Sequence, residues 1–169
     1  MKKYLSPLLL VGAMTGCASV ETVDLNHMRL VQALATPDDT TAVIVVYRGE
    51  SAVGAAAKYD LWVNGECLGK SAKGVYFYKR VPAGQTHTLS TQGRVTPQHV
   101  SITVEANKKY FVEQYVDGGH NPLKIDFSNP NFGATKLRLV DEAEGQATIE
   151  HMQVAKSGDC KTPRISVSN

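Results

Sequence analysis

Residues 41–48, TAVIVVYR, make a nearly unbroken run of β-branched and apolar residues. A run this short and this apolar is the signature of a central strand buried on both faces. Around it the chain keeps a short-strand rhythm. Lys58–Val63 alternates, with Tyr59, Leu61 and Val63 on one face and Asp60 and Trp62 on the other. Asn64-Gly65 follows, a strong hairpin signal because both residues tolerate positive φ, and Glu66–Lys70 is the returning strand. Val75–Val81 sets Val75, Phe77 and Val81 against Tyr76, Tyr78 and Arg80. After the turn Pro82-Ala83-Gly84, Thr86–Thr91 and His99–Glu105 are predicted to pair around Gly93 and Pro97. Tyr110–Val116 is a further strand. Leu123–Phe127 and Lys136–Val140 are short edge strands separated by Ser128-Asn129-Pro130-Asn131. The predicted fold is mainly β: an antiparallel β-sandwich or small barrel with one C-terminal α-helix.

That helix starts at Asp141, whose side chain can cap it, with Glu144 completing a capping-box-like pair. Its apolar positions are Ala143, Ala147, Ile149 and Met152. Gly145 costs the helix about 1 kcal/mol relative to Ala. A short helix from Asp24 through Leu34 is also predicted, with Leu25, Met28 and Val31 on one side.

The first residues are of another kind. Lys2 and Lys3 precede a brief apolar run, Leu5 and Leu8-Leu9-Leu10-Val11, and small residues then lead to Cys17. This is the layout of a secretion signal, and the run falls short of the roughly 20 residues that span a bilayer. Met14-Thr15-Gly16-Cys17 resembles the lipobox of bacterial lipoproteins. The resemblance implies a diacylglyceryl thioether on Cys17, and Ala18 in place of Asp implies the outer membrane, facing the periplasm. The alternative is an ordinary signal peptide that ends beside a structural cysteine. The chain then divides into a signal peptide (1–16), a lipidated tether (17–40), a β-sandwich domain with its terminal helix (41–153) and a C-terminal tail (154–169) that is loose or pinned by Cys160.

The leader also explains the charge. Of 18 Lys and Arg against 16 Asp and Glu, Lys2 and Lys3 belong to it, so the remainder is balanced and carries no nucleic-acid signal. With Cys17 lipidated, Cys67 and Cys160 remain in an oxidising compartment and are candidates for a disulfide; two free buried thiols are the alternative.

The series Ala42–Arg48, Leu61-Trp62-Val63-Asn64-Gly65 with Gly69, Tyr76, Pro82-Ala83-Gly84 and Tyr110 resembles the bacterial lipoprotein family known as domain of unknown function 2846. It covers about residues 41–116. The resemblance implies a small β-sandwich on a lipid tether and supplies no catalytic residue.

No metal site or cofactor is expected. His87 shares the parity of Leu89, whereas His99 opposes Val100 and Ile102, so the two rings face opposite ways. His27 and His151 have no second ligand at helical spacing, and His120 lies in a Gly-rich loop. Serine-nucleophile signatures, a carboxylate pair and phosphate-cradling loops are absent from the sequence. The expectation is therefore a non-enzymatic interaction or accessory module, with an unrecognised envelope hydrolase site as one alternative. The other is an aromatic shelf. Trp62, Tyr76 and Tyr78 share the non-core parity of two strands, so they either bind a glycan or peptide partner or form a second core layer under the helix or tether. Arg48 can pair with an acid or serve a ligand carboxylate.

Overall fold

The computed structural model describes residues 20–51, 53–92, 98–118 and 133–161. Among these residues the strands are β1 (Thr41–Arg48), β2 (Tyr59–Val63), β3 (Glu66–Ser71), β4 (Val75–Pro82), β5 (Thr86–Thr91), β6 (Gln98–Thr103), β7 (Lys109–Val116), β8 (Thr135–Val140) and β9 (Gln153–Val154). Helix α1 (Met28–Leu34) follows a 3-10 turn at Leu25–His27, and α2 (Glu142–Ile149) follows β8. One sheet has the order β8-β7-β1-β4-β9 and the other β3-β2-β5-β6. The fold is mainly β, a two-sheet sandwich rather than a closed barrel.

β1 occupies the middle of the larger sheet, and every residue from Ala42 to Arg48 is buried. Alternation sorts its side chains between two cores. Ala42, Ile44 and Val46 join Val75, Phe77 and Val81 of β4 against Leu61, Val63, Leu89 and Ile102 of the second sheet. Val43, Val45 and Tyr47 face the other way, with Tyr76, Phe111, Val140 and Val154, beneath Ile149 of α2 and Met28 and Val31 of α1. The unbroken apolar run of β1 thus serves two layers at once. Burying Val43, Ile44, Val45 and Val46 with no measurable exposure stabilises the fold by about 1.5–3 kcal/mol each.

The hairpin between β2 and β3 turns at Asn64 (φ 51°) and Gly65 (φ 74°), both in the left-handed region. Pairing is not antiparallel throughout. β1 runs antiparallel to β4 but parallel to β7, and β4 parallel to β9. The chain leaves the larger sheet twice, as β2–β3 and as β5–β6, and returns each time. Strands that meet there are remote in sequence, and alternation carries no information on their direction.

Three expectations are corrected. α2 faces the sheet with Gly145 and Ile149, whereas Ala143 and Ala147 are exposed. Asp141 caps it by accepting from the Ala143 amide at 2.9 Å, while Glu144 turns to Arg138 at 3.3 Å instead of closing a capping box. The segment before β1 is docked from Val20 onward: Val23 donates to Val154 O at 2.8 Å and the Lys156 amide to Glu21 O at 2.9 Å. Residues 154–161 are tied down, in keeping with a tail pinned at Cys160, with Ala155 donating to Tyr76 O at 2.8 Å and Gly158 to Leu68 O at 3.0 Å. β9 escaped the sequence reading because two residues show no periodicity. The predicted strand 123–127 and the turn 128–131 lie outside the described residues.

Candidate functional site

The three aromatics do not form an exposed shelf. Trp62 is 2% and Tyr76 7% exposed, and they sit in different sheets, on β2 and β4. Tyr78 is half-buried and packs on the same core as Tyr76, their rings meeting edge to face at 5.2 Å. Tyr76 belongs to the second core layer, and Tyr78 packs against it together with Val23, Met28 and Val31. Burial holds the Tyr76 hydroxyl well above its ordinary pKa, with its bond to Tyr78 adding to the effect. A ring buried to this extent has no face free for an incoming sugar.

His87 is a core residue, 2% exposed. Asn64 Oδ1 accepts from the Thr88 amide at 3.0 Å, so its Nδ2 donates to His87 Nδ1 at 2.8 Å. His87 Nε2 then donates to Pro82 O at 2.9 Å, which assigns the Nε2–H tautomer. Both ring nitrogens are engaged in holding the Asn64 turn against β4. His99 is exposed, opposite Ser90. No group of three or more His, Cys, Asp or Glu suited to a metal occurs among the described residues, and His120 lies outside them.

Two polar assemblies were not anticipated. Gln114 of β7, with no exposure, bridges the sheets: Ser71 donates to its Oε1, and its Nε2 donates to Thr91 Oγ1 at 2.5 Å. Thr91 passes its hydroxyl hydrogen to Asp60 O at 3.2 Å. Each member is an ordinary polar residue in sequence, and only the packing of β3, β5 and β7 brings them into contact. Arg48 is the other centre. Its guanidinium donates to Ala57 O at 2.7 Å and to Gly54 O, and stacks on Tyr59 at 4.9 Å. Burial lowers its pKa. It clamps the loop between β1 and β2, and among the described residues it pairs with no acid. Arg48 also lines a hollow of about 260 Å³ with Glu50, Glu113 and Gln114. Glu113 is held there by Arg138, at 2.6 and 2.7 Å. Nearby, burial and then the Glu113 carboxylate raise the Tyr47 hydroxyl to about 12. With two carboxylates on its wall and its guanidinium already donating to carbonyls, this hollow does not suit an anion.

The remaining feature is the edge formed by β3 and β9. Cys67 on β3 and Cys160 are joined as a disulfide, with Cα atoms 5.9 Å apart and 93 residues between them in sequence. Beside it lies a hollow of about 330 Å³, walled by Val20, Glu21, Lys58, Lys70, Lys156 and Asp159. Lys156 bonds Glu21 at 3.0 Å, and Lys70 lies 3.7 Å from Asp159 and 3.9 Å from the buried Asp60. Cys17 lies outside the described residues, three positions before Val20.

The chain is similar to an uncharacterized protein of Haemophilus influenzae, 28% identical over 144 residues that cover 85% of this chain and 79% of that one. No solved structure matches it. Residues 38–126, from the Asp38 turn through β7 and beyond, match the family described as protein of unknown function (DUF2846), and the chain belongs to that family.

Proposed function

We propose that the protein is a lipid-anchored lipoprotein of the cell envelope, held on the periplasmic face of the outer membrane through Cys17, and that its folded part is a non-enzymatic interaction or accessory module. The observation that carries this reading is Met14-Thr15-Gly16-Cys17 placed directly after a basic and apolar leader. A cystine between Cys67 and Cys160 suits the oxidising compartment that such a leader implies. No helix among the described residues is long and apolar enough to cross a membrane. Two or more acyl chains hold stably, at about 0.8 kcal/mol per buried methylene, where one does not.

The module reading draws on what the polar side chains touch. Ser71 bonds an amide, His87 a carbonyl and an amide, and Glu113 an arginine. Each contact is architectural. Metabolic labelling with palmitate tests the anchor: label is expected on the full chain and lost in Cys17→Ala, and an unlabelled chain or a labelled variant refutes it. Membrane fractionation tests the address, with the protein expected in the outer-membrane fraction.

A further inference from the structure

The lipid-anchor reading acquires a geometry from where the fold begins. Val20 already packs against the inter-sheet core, Thr22 pairs with Ala155, and Glu21 is held by the backbone and side chain of Lys156. Three residue steps separate Cys17 from Val20, a reach of at most about 11 Å. A domain of this length has a radius of gyration of roughly 15 Å. A lipid on Cys17 therefore cannot hold the domain clear of the bilayer; it draws the edge carrying Val20 onto the surface. We propose that this β3/β9 edge, at the hollow walled by Lys58, Lys70 and Lys156, is the face that rests on the phospholipid bilayer, the ammonium groups of Lys58 and Lys156 against headgroup phosphates.

The chemistry of the hollow agrees with that occupant. Three lysines and two carboxylates, Glu21 and Asp159, line it, a mixture that matches the phosphate and ammonium of a zwitterionic headgroup better than a free anion. Lysines at such an interface place their ammonium groups among phosphates while their stems cover apolar surface. Below them, the disulfide joins the segment after β9 to β3, so the whole edge is fixed in shape. β8 lies at the far side of the larger sheet and carries Lys136, and Lys108 lies in the β6–β7 loop.

This inference rests on the proposed lipidation, and the test separates the two. The lipidated full chain is placed in phosphatidylethanolamine–phosphatidylglycerol vesicles and treated with a water-soluble amine-acylating reagent, and modification is mapped by mass spectrometry against soluble Cys17→Ala protein. Lys58 and Lys156 are expected to react several-fold more slowly on vesicles, with Lys108 and Lys136 unchanged. Inserting about 20 flexible Gly/Ser residues between Ser19 and Val20, an r.m.s. reach of roughly 25 Å, is expected to restore their reactivity while the palmitate label stays. Labelled protein whose Lys58 and Lys156 react as fast as in the soluble form overturns the docking face and leaves the anchor intact. A chain without palmitate overturns both.

Discussion

Gly145 offers a test in which two effects of opposite sign compete. It sits inside α2, where a helix ordinarily gains up to about 1 kcal/mol when Gly is replaced by Ala. A Cβ built at Gly145 would lie 2.3 Å from Phe111 Cγ and 2.5 Å from its Cβ and Cδ1. Favourable carbon contacts begin at about 3.5 Å. Phe111 is 1% exposed on β7, and the atoms met are the root of its side chain, which cannot swing away. The helix must lift or the strand must shift. Overpacking of that kind costs about 1–3 kcal/mol, and the near-complete overlap points to the upper end. Less the propensity gain, Gly145→Ala should destabilise by about 2 kcal/mol, a fall of roughly 4–8 °C in Tm for a domain of this size. Ala147→Gly, at an exposed position of the same helix, calibrates the propensity alone and should cost about 1 kcal/mol. Both are read by thermal and urea unfolding followed by circular dichroism. A Gly145→Ala protein as stable as the wild type, or more so, would show that α2 does not sit on Phe111 as described.

The Cys67→Ala/Cys160→Ala protein should lose about 2–4 kcal/mol in urea unfolding, because the bond closes a long loop across 93 residues; equal midpoints for oxidised wild type and the variant would refute this. Gln114→Leu removes the partner of Ser71 and one partner of Thr91 inside the sandwich and should cost about 1–3 kcal/mol, visible as a lowered urea midpoint. Asp38 is held down to about 2 first by the Thr41 hydroxyl, then by the Thr40 amide and hydroxyl, with Arg80 adding to the effect. Its folded pKa lies below the unfolded value of 3.8, so its contribution is present above about 4 and vanishes as pH falls through about 2. The Tm gap between wild type and Asp38→Asn should therefore close over that window, and a gap independent of pH would contradict it.

What the sequence disclosed depended on how local the cause was. The Asn64-Gly65 turn is settled by two residues and their tolerance of positive φ, and it appears where expected. β1 was legible because burial on both faces demands an unbroken apolar run. The tyrosines were legible only as an ambiguity. Alternation places Tyr76 and Tyr78 off the inter-sheet core, but whether that face meets water depends on α1 and residues 20–23, remote in sequence. Gly145 reads as a weak point in a helix until Phe111 is known to lie against it. Gln114, Ser71 and Thr91 carry no spacing that marks them, because three different strands bring them together.

The two ends of the described fold meet at one edge, the edge that the proposed anchor on Cys17 would load. Chain termini usually fray first because few contacts hold them. Here residues 21–23 pair with 154–156, a salt bridge between Lys156 and Glu21 reinforces the pairing, and Cys160 is bonded to Cys67. With the proposed lipid on Cys17, a pull would reach the described fold at Val20, pass through those backbone bonds to the segment after β9, and reach β3 through the disulfide. Under that proposal the second sheet would share the load with the larger one. Residues 20–23 also cover part of the face that holds Tyr76 and Tyr78, through Val23. Loosening this edge would wet the second core as well as detach the terminus, which gives a physical reason for binding it three ways.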